Sequence, residues 1–219
     1  MKAAIFDLDG TLIDSMGMWR DLGRNFLERR GLAITKKVAE DMTTMSLKMN
    51  SHYLKETYNL KESTDEIYKE FKDIILNFYL NEVNEKEEAF NTIKKYKENG
   101  YDVVLGTATS DEFVYPILER FNMSEYFDLI QTCDMVGIKK SDKNYFNLIS
   151  EKLELNSKEI FLFDDAPFAL KAAKEAGIVT VGVYDDESKE YWKHIVEKNN
   201  YAIKTFKEWN VYEPSNILL

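Results

Sequence analysis

The run Ile5-Phe6-Asp7-Leu8-Asp9-Gly10-Thr11-Leu12-Ile13-Asp14-Ser15 carries the first clue to the architecture of this chain. A short apolar segment, Ala3–Phe6, leads into two carboxylates separated by one leucine and followed by a glycine. Side chains alternate along a strand, so Asp7 and Asp9 share a face if the strand continues. Gly10 marks a break and a sharp turn. Paired acids at the end of a buried strand repel each other and are costly to desolvate. A divalent cation relieves both problems; a solvated Asp-rich turn avoids them. The rest of the chain has to distinguish these two readings.

Short apolar runs of the same kind recur at 103–106, 127–131, 160–163 and 178–183, each the length of a buried parallel strand. Helical patterns separate them. Residues 87–99 end at Gly100, and residues 143–153 place Phe146, Leu148, Ile149 and Leu153 at helical spacing. Residues 167–176 have Pro167 at the start and Gly177 just past the end. Pro116 predicts that the helix over 112–121 is kinked or starts late. Alternating strands and helices predict an α/β fold with a Rossmann-like parallel-sheet core.

One region departs from this alternation. No Gly or Pro occurs from Leu32 through Asn99. Ile67, Phe71, Ile74, Ile75 and Phe78 form one helical face there, and Trp19, Leu22, Phe26 and Leu27 mark a first helix that starts near Ser15 and ends before Gly31. Residues 15–85 therefore read as a small all-α helical cap domain inserted after the first strand, with 1–14 and 86–219 forming the α/β core.

The bulk numbers exclude several function classes. The chain has 219 residues, of which 44% are hydrophobic, enough for a substantial core. Its 29 Lys and Arg against 39 Asp and Glu give a net charge of −10, which argues against a nucleic-acid scaffold. A single cysteine, Cys133, allows no disulfide within the chain. No segment has the length of a membrane span, and the apolar start is cut short by Asp7, so a cytoplasmic location without membrane partners is the default expectation.

Ligands of parallel α/β sheets bind beyond the carboxyl ends of the strands. Those ends carry Asp7 and Asp9, then Thr107, Ala108, Thr109 and Ser110, then Asp164 and Asp165, with Lys140 in the loop after the third strand. The four carboxylates are hard oxygen ligands suited to Mg²⁺. Thr107, Ala108 and the first turn of the following helix offer a hydroxyl and N–H groups to a phosphoryl group, and Lys140 offers a point charge. Phosphoryl transfer needs positioning and charge neutralisation above all. In this reading Asp7 attacks phosphorus as the nucleophile, and Asp9 serves as general acid and base.

At this point the sequence resembles a known family. Asp7-Leu8-Asp9-Gly10-Thr11, Leu105-Gly106-Thr107-Ala108-Thr109, the stretch from Thr132 to Gly137 followed by Lys140, and Phe161-Leu162-Phe163-Asp164-Asp165 are similar, in order, to the four motifs of the haloacid dehalogenase superfamily. The resemblance covers nearly the whole chain. It implies a core-and-cap fold closing over substrate, one Mg²⁺ and an aspartyl-phosphate intermediate. By the same resemblance the metal is held by the Asp7 side chain, the Asp9 backbone carbonyl and Asp165, with Asp164 assisting. The third motif departs from the common Lys-Pro-x-Pro-Asp pattern, reading Lys140-Ser141-Asp142-Lys143-Asn144, so the adjacent Lys139 stays open as the alternative lysine.

The subgroup looks like β-phosphoglucomutase and its related phosphatases. The cap histidine expected of a mutase falls on Trp19, and the arginine of its specificity loop falls near Leu47, beside Lys48. Both departures favour a phosphatase that hydrolyses a small phosphorylated metabolite. A sugar-phosphate mutase is the alternative within the family, and a non-catalytic metabolite-binding or regulatory protein is the alternative of another class. A monomer or weak homodimer is expected. Ser15 is read either as reaching the substrate or as capping the first cap helix. Trp192 and Trp209 are expected to pack near the C-terminus.

Overall fold

A computed structural model describes residues 2–42 and 45–211. Strand β1 (Ala3–Phe6) is buried along its whole length, as a central strand covered on both faces must be. The chain then enters four helices: α1 (Met16–Glu28), α2 (Lys36–Met42), α3 (Leu47–Tyr58) and α4 (Thr64–Asn81). It returns through α5 (Ala89–Glu98), β2 (Asp102–Thr107), α6 (Asp111–Arg120), β3 (Leu129–Thr132), α7 (Cys133–Val136), α8 (Lys143–Leu153), β4 (Ile160–Asp164), α9 (Pro167–Glu175), β5 (Val179–Val183), α10 (Trp192–Lys198) and β6 (Tyr201–Ile203).

The six strands form one sheet in the order β3-β2-β1-β4-β5-β6, with every pair parallel. Chain order reverses beside β1, so the carboxyl ends of β1, β2 and β4 surround one crevice. The register aligns them: Phe6 pairs with both Leu105 and Phe163, and the Asp7 N–H donates to the Phe163 carbonyl at 3.0 Å. Asp7 therefore leaves the sheet one residue short of the end of β4.

Alternation along β1 sorts the core into two faces. Ala3 and Ile5 pack with Val104, Tyr145, Phe146, Ile149, Leu162, Leu170 and Ile195. Phe6 faces the other way, stacked on Phe163 with ring centroids 4.8 Å apart and planes 7° from parallel. Trp209 meets Phe163 edge-on at 5.0 Å and donates its indole N–H to the Tyr96 hydroxyl at 2.8 Å. That bond satisfies the polar ends of two buried aromatics. Trp192 meets Tyr184 edge-on at 5.2 Å.

The structure narrows one sequence expectation and adds a strand to the sheet. The helix containing Pro116 does not start late; it begins at Asp111, immediately after Ser110. Phe113, Val114, Ile117 and Leu118 bury its apolar face, and that packing offsets the backbone bond that proline cannot make. The sheet also has a sixth strand that the apolar runs do not announce. β6 is only three residues, held by Val181 pairing with Tyr201 and by the Asn200 side-chain oxygen, which accepts from the Thr180 N–H and hydroxyl at 3.0 and 3.2 Å.

The chain divides into two compact units. One is the helical insert Met16–Glu82, and the other is built from the described residues before and after it. Ser15 and residues 83–85 belong with the sheet. Asp14 N–H donates to the Asn84 carbonyl at 3.0 Å, and Ile13 bridges to Glu85. Within the insert, α4 opens on a complete capping box, Ser63 with Glu66, and buries Ile67, Phe71, Ile75 and Tyr79. Arg30 binds Glu62 at 2.9 Å and Glu70 at 2.6 Å while its guanidinium lies over the Phe26 ring. Trp19 donates its indole N–H to Tyr79 at 3.3 Å.

Glu88, the residue just before α5, adopts a left-handed backbone with φ 63°. That conformation costs a side-chain-bearing residue about 1–2 kcal/mol. Glu88→Gly should relieve it, raising Tm by about 2 °C in a chain of this size. A lower Tm in thermal unfolding would show that the Glu88 side-chain bond to Asn91 outweighs the backbone strain.

Candidate active site

Four loops at the carboxyl edge of the sheet bring the candidate residues together. Asp7 follows β1, Thr107 ends β2, Lys140 lies between α7 and α8, and Asp164 ends β4. All are buried, as are Asp9 and Asp165. Lys140, at 3% exposure, forms an ion pair with Asp7 Oδ1 and a second with Asp164 Oδ2 at 2.7 Å. Lys139 is exposed. The structure thus brings Lys140, of the two adjacent lysines, into the carboxylate cluster.

The carboxylates of Asp7, Asp164 and Asp165 offer oxygens that all lie within 4.8 Å of one another. Burial pushes the Asp7 carboxyl up to about 7, and the Asp164 and Asp9 charges add to that push, although Lys140 works against it. Burial likewise raises Asp165 well above the ordinary carboxylate range, helped by repulsion from Asp164 and Asp7. Burial alone would make Lys140 a weaker base, but the Asp164 and Asp7 carboxylates outweigh it and hold the ammonium charged. Three carboxylates and one ammonium leave two negative charges, which a single divalent cation would cancel. Hard, anionic oxygens in a small buried cluster fit Mg²⁺, which needs only a few protein ligands beside water.

Asp9 sits in a different environment. Its Oδ1 accepts from the Ser15 hydroxyl at 2.5 Å and its Oδ2 from the Thr109 hydroxyl at 2.5 Å. Its side chain is outside the triad of Asp7, Asp164 and Asp165. In the sequence Thr109 stands at the edge with no evident task, and Ser15 reads as a cap or a substrate contact. The hydroxyl of each donates to Asp9. The sequence signal for this is slight: one hydroxyl residue just before α1 and another two residues after the end of β2.

Local backbone geometry fixes the remaining atoms. Asp164 Oδ1 accepts from the Ala166 N–H at 2.8 Å, turning the chain into α9. Thr107 Oγ1 accepts from the Thr109 N–H at 3.1 Å, so the turn at Ala108 is closed by the threonine itself. Thr11 donates to Asp165 Oδ1 at 3.3 Å. Tyr145 approaches the carbonyls of Gln131 and Thr107 at 2.6 and 3.3 Å, bracing the ends of β3 and β2 against each other. A cavity of about 260 Å³ has Asp14, Lys86, Asp185 and Lys204 among its lining residues; the triad does not line it.

A family model for haloacid dehalogenase-like hydrolases matches residues 4–183. The chain belongs to that family. A phosphorylated carbohydrates phosphatase of Thermotoga maritima is 24% identical over 178 residues, covering 81% of this chain and 82% of that protein. A phosphoglycolate phosphatase of Photorhabdus laumondii is 28% identical over 189 residues, covering 84% and 80% respectively. In fold, the chain matches the crystal structure of a family IA, variant 3 HAD hydrolase from Entamoeba histolytica with a TM-score of 0.80 at 19% identity, over 99% of each chain. No helix among the described residues is long and apolar enough to cross a membrane.

The haloacid dehalogenase-like core leaves no room at Gly10. Its φ is 75°, and a Cβ there would lie 2.6 Å from Asp165 Oδ2 and 2.7 Å from its carboxyl carbon. Gly10→Ala is expected to cost at least about 1 kcal/mol from the left-handed backbone alone, with the collision adding to it. Thermal unfolding should show a Tm several degrees lower, since about 1 kcal/mol moves Tm by roughly 2–4 °C at this size. An unchanged Tm would mean that the turn relaxes out of the left-handed conformation and Asp165 moves aside, both without cost.

Proposed function

We propose that this protein is a Mg²⁺-dependent phosphatase that hydrolyses a small phosphorylated metabolite, Asp7 acting as nucleophile and Asp9 as general acid and base. The observation that carries this reading is the separation of the two acids. Asp7 shares Lys140 with Asp164, in the cluster suited to a cation and a phosphoryl group. Asp9 stands apart from that cluster, held by two hydroxyls.

Asp7, Asp164 and Asp165, with the Asp9 backbone carbonyl, would hold the Mg²⁺, whose contribution is to neutralise phosphate charge and so let one carboxylate approach another anion. Lys140 fixes Asp7 Oδ1 and leaves the other Asp7 oxygen for bonding. That oxygen attacks phosphorus, forming an aspartyl-phosphate as the ester oxygen departs. Asp9 gives its proton to the departing alkoxide and later takes one from the water that hydrolyses the intermediate. The Ser15 and Thr109 hydroxyls orient the Asp9 carboxyl during both transfers. Thr107 and Ala108 would receive the phosphoryl oxygens through the hydroxyl and the backbone N–H groups of the turn.

Hydrolysis is favoured over a mutase reaction by Trp19, which occupies the position where a mutase carries a histidine. An indole can donate but cannot accept, and this one is directed at Tyr79. The names of the curated relatives point to phosphorylated carbohydrates and phosphoglycolate, and we extend that range to a small phosphomonoester here. The insert Met16–Glu82 is the proposed cap domain.

Asp7→Asn should abolish phosphate release from every phosphomonoester in a panel while leaving the melting curve nearly unchanged. Full activity in that variant, with no deamidation detected by mass spectrometry, would remove Asp7 from the nucleophile role. Asp9→Asn should slow alkyl phosphates more than aryl phosphates by about 10- to 100-fold, because an aryl leaving group needs little help from an acid. Equal losses for both substrate types would count against the acid role. Removal of Mg²⁺ by EDTA should abolish turnover, and adding Mg²⁺ should restore it; turnover that survives chelation would overturn the metal assignment.

A further inference from the structure

Tyr145 falls in none of the four motifs, yet it is fully buried and touches the second of them at Thr107. It lies in the first turn of α8 and packs with Ala3, Ile5, Val104 and Ile149 on one face of the sheet. Its hydroxyl donates to the Gln131 carbonyl of β3 at 2.6 Å and approaches the Thr107 carbonyl of β2 at 3.3 Å. The Gln131 side chain returns the contact: its amide donates to the Tyr145 carbonyl at 2.9 Å, while Lys152 donates to the amide oxygen at 2.8 Å. Gly106 leaves the approach open. A Cβ there would lie 3.5 Å from the Tyr145 hydroxyl and 2.8 Å from Ile5 Cγ2.

A buried tyrosine needs a partner for its hydroxyl, and either carbonyl alone would satisfy it. The place of the second carbonyl carries the argument further. A peptide group is planar and trans, so the Thr107 C=O and the Ala108 N–H belong to one rigid unit and point opposite ways. Holding the carbonyl therefore fixes the N–H. On the same turn the Thr107 hydroxyl accepts from the Thr109 N–H at 3.1 Å, and Ala108 is exposed where Thr107 is buried. We propose that Tyr145 is a positioning residue that orients the Thr107–Ala108 peptide, so that the Ala108 N–H is presented to a bound phosphoryl group. This inference rests on the phosphatase reading of the site given above.

The tyrosine hydroxyl has one proton to share. The shorter contact ties it to β3, and the longer one limits how far the Thr107 carbonyl can swing. Phenylalanine keeps the ring packing and loses both contacts. The peptide then turns more freely, and the phosphoryl group loses a donor aimed in advance. A cation held by Asp7, Asp164 and Asp165, which β1 and β4 deliver, is not involved in this effect.

The test is calorimetric titration of the full chain with inorganic phosphate in the presence of Mg²⁺, on the wild type, Tyr145→Phe and Thr107→Val, with Mg²⁺ binding measured separately without phosphate. Tyr145→Phe should raise the phosphate Kd by about fivefold, the contribution of one ordinary hydrogen bond, and leave the Mg²⁺ Kd unchanged. In amide NMR spectra of the isotope-labelled protein, saturating phosphate should move the Ala108 proton downfield in the wild type and by a smaller amount in Tyr145→Phe. Thermal unfolding identifies a variant that does not fold. Gln131→Met, which removes the amide that donates to the Tyr145 carbonyl, then takes the place of Tyr145→Phe with the same expectations. If the wild type binds phosphate but Tyr145→Phe leaves either the phosphate Kd or the Ala108 displacement at its wild-type value, the positioning role is overturned while the site reading stands. Phosphate and Mg²⁺ Kd values that rise together would show general loosening and overturn it as well. If the wild type binds no phosphate, or binds it as tightly after Thr107→Val, the site reading falls and this inference falls with it.

Discussion

Three carboxylates of like charge are held within 4.8 Å of one another in a buried crevice, with one lysine among them. Left to itself such a cluster would separate or take up protons, since desolvating each charge costs several kcal/mol. It persists because each member is anchored by something other than its charge. Asp7 continues the β1 ladder through its own N–H, Asp164 turns the chain into α9, and Asp165 sits in space that only a glycine at position 10 leaves open. The fold supplies this anchorage from rigid parts. β1 is paired on both sides and buried on both faces, so the residue after it has little freedom.

The rigidity has a visible source in the core. Phe6, the last residue of β1, and Phe163, the residue before Asp164, are paired in register and stacked flat on each other. Two strands that deliver interacting carboxylates are thus locked by an aromatic pair directly beneath the site. Phe163 in turn meets Trp209, far along the chain, and Tyr96 of α5. Apolar packing of this size is what offsets the electrostatic cost of the cluster, because the ion pairs alone do little better than balance their own desolvation.

Much of this was legible in the sequence because it is written locally. A short apolar run ending in acids, hydroxyls or glycine states a buried strand and its functional end together, as at 3–9, 103–109 and 160–165. β6 escaped because Tyr-Ala-Ile is too short to show a period, and its placement depends on a side chain, Asn200, bonding to a neighbouring strand. Lys139 and Lys140 could not be separated by motif register alone. What distinguishes them is which one the turn before α8 directs inward, a matter of three-dimensional path. The partners of Asp9 were half-visible: Ser15 is six positions away and Thr109 a hundred. The contact of Tyr145 with Thr107 was invisible for the same reason, since nothing in either local segment specifies the other.

The two acids of the opening motif also show how a single dipeptide spacing yields two chemical environments. Asp7 directly follows β1 and inherits the strand's direction, which points it at Lys140 and the loop after β4. Asp9 lies beyond the last ladder bond, and Gly10 turns the chain directly after it. Its carboxylate accepts from two hydroxyls. A hydroxyl can accept as well as donate, so Ser15 and Thr109 can each rotate to serve either protonation state of Asp9, whereas an ammonium can only favour the ionised form. Under the proposed roles, the carboxylate that attacks is set beside a lysine, and the one that gains and loses a proton is set among hydroxyls. That is the distribution the turn at Gly10 produces.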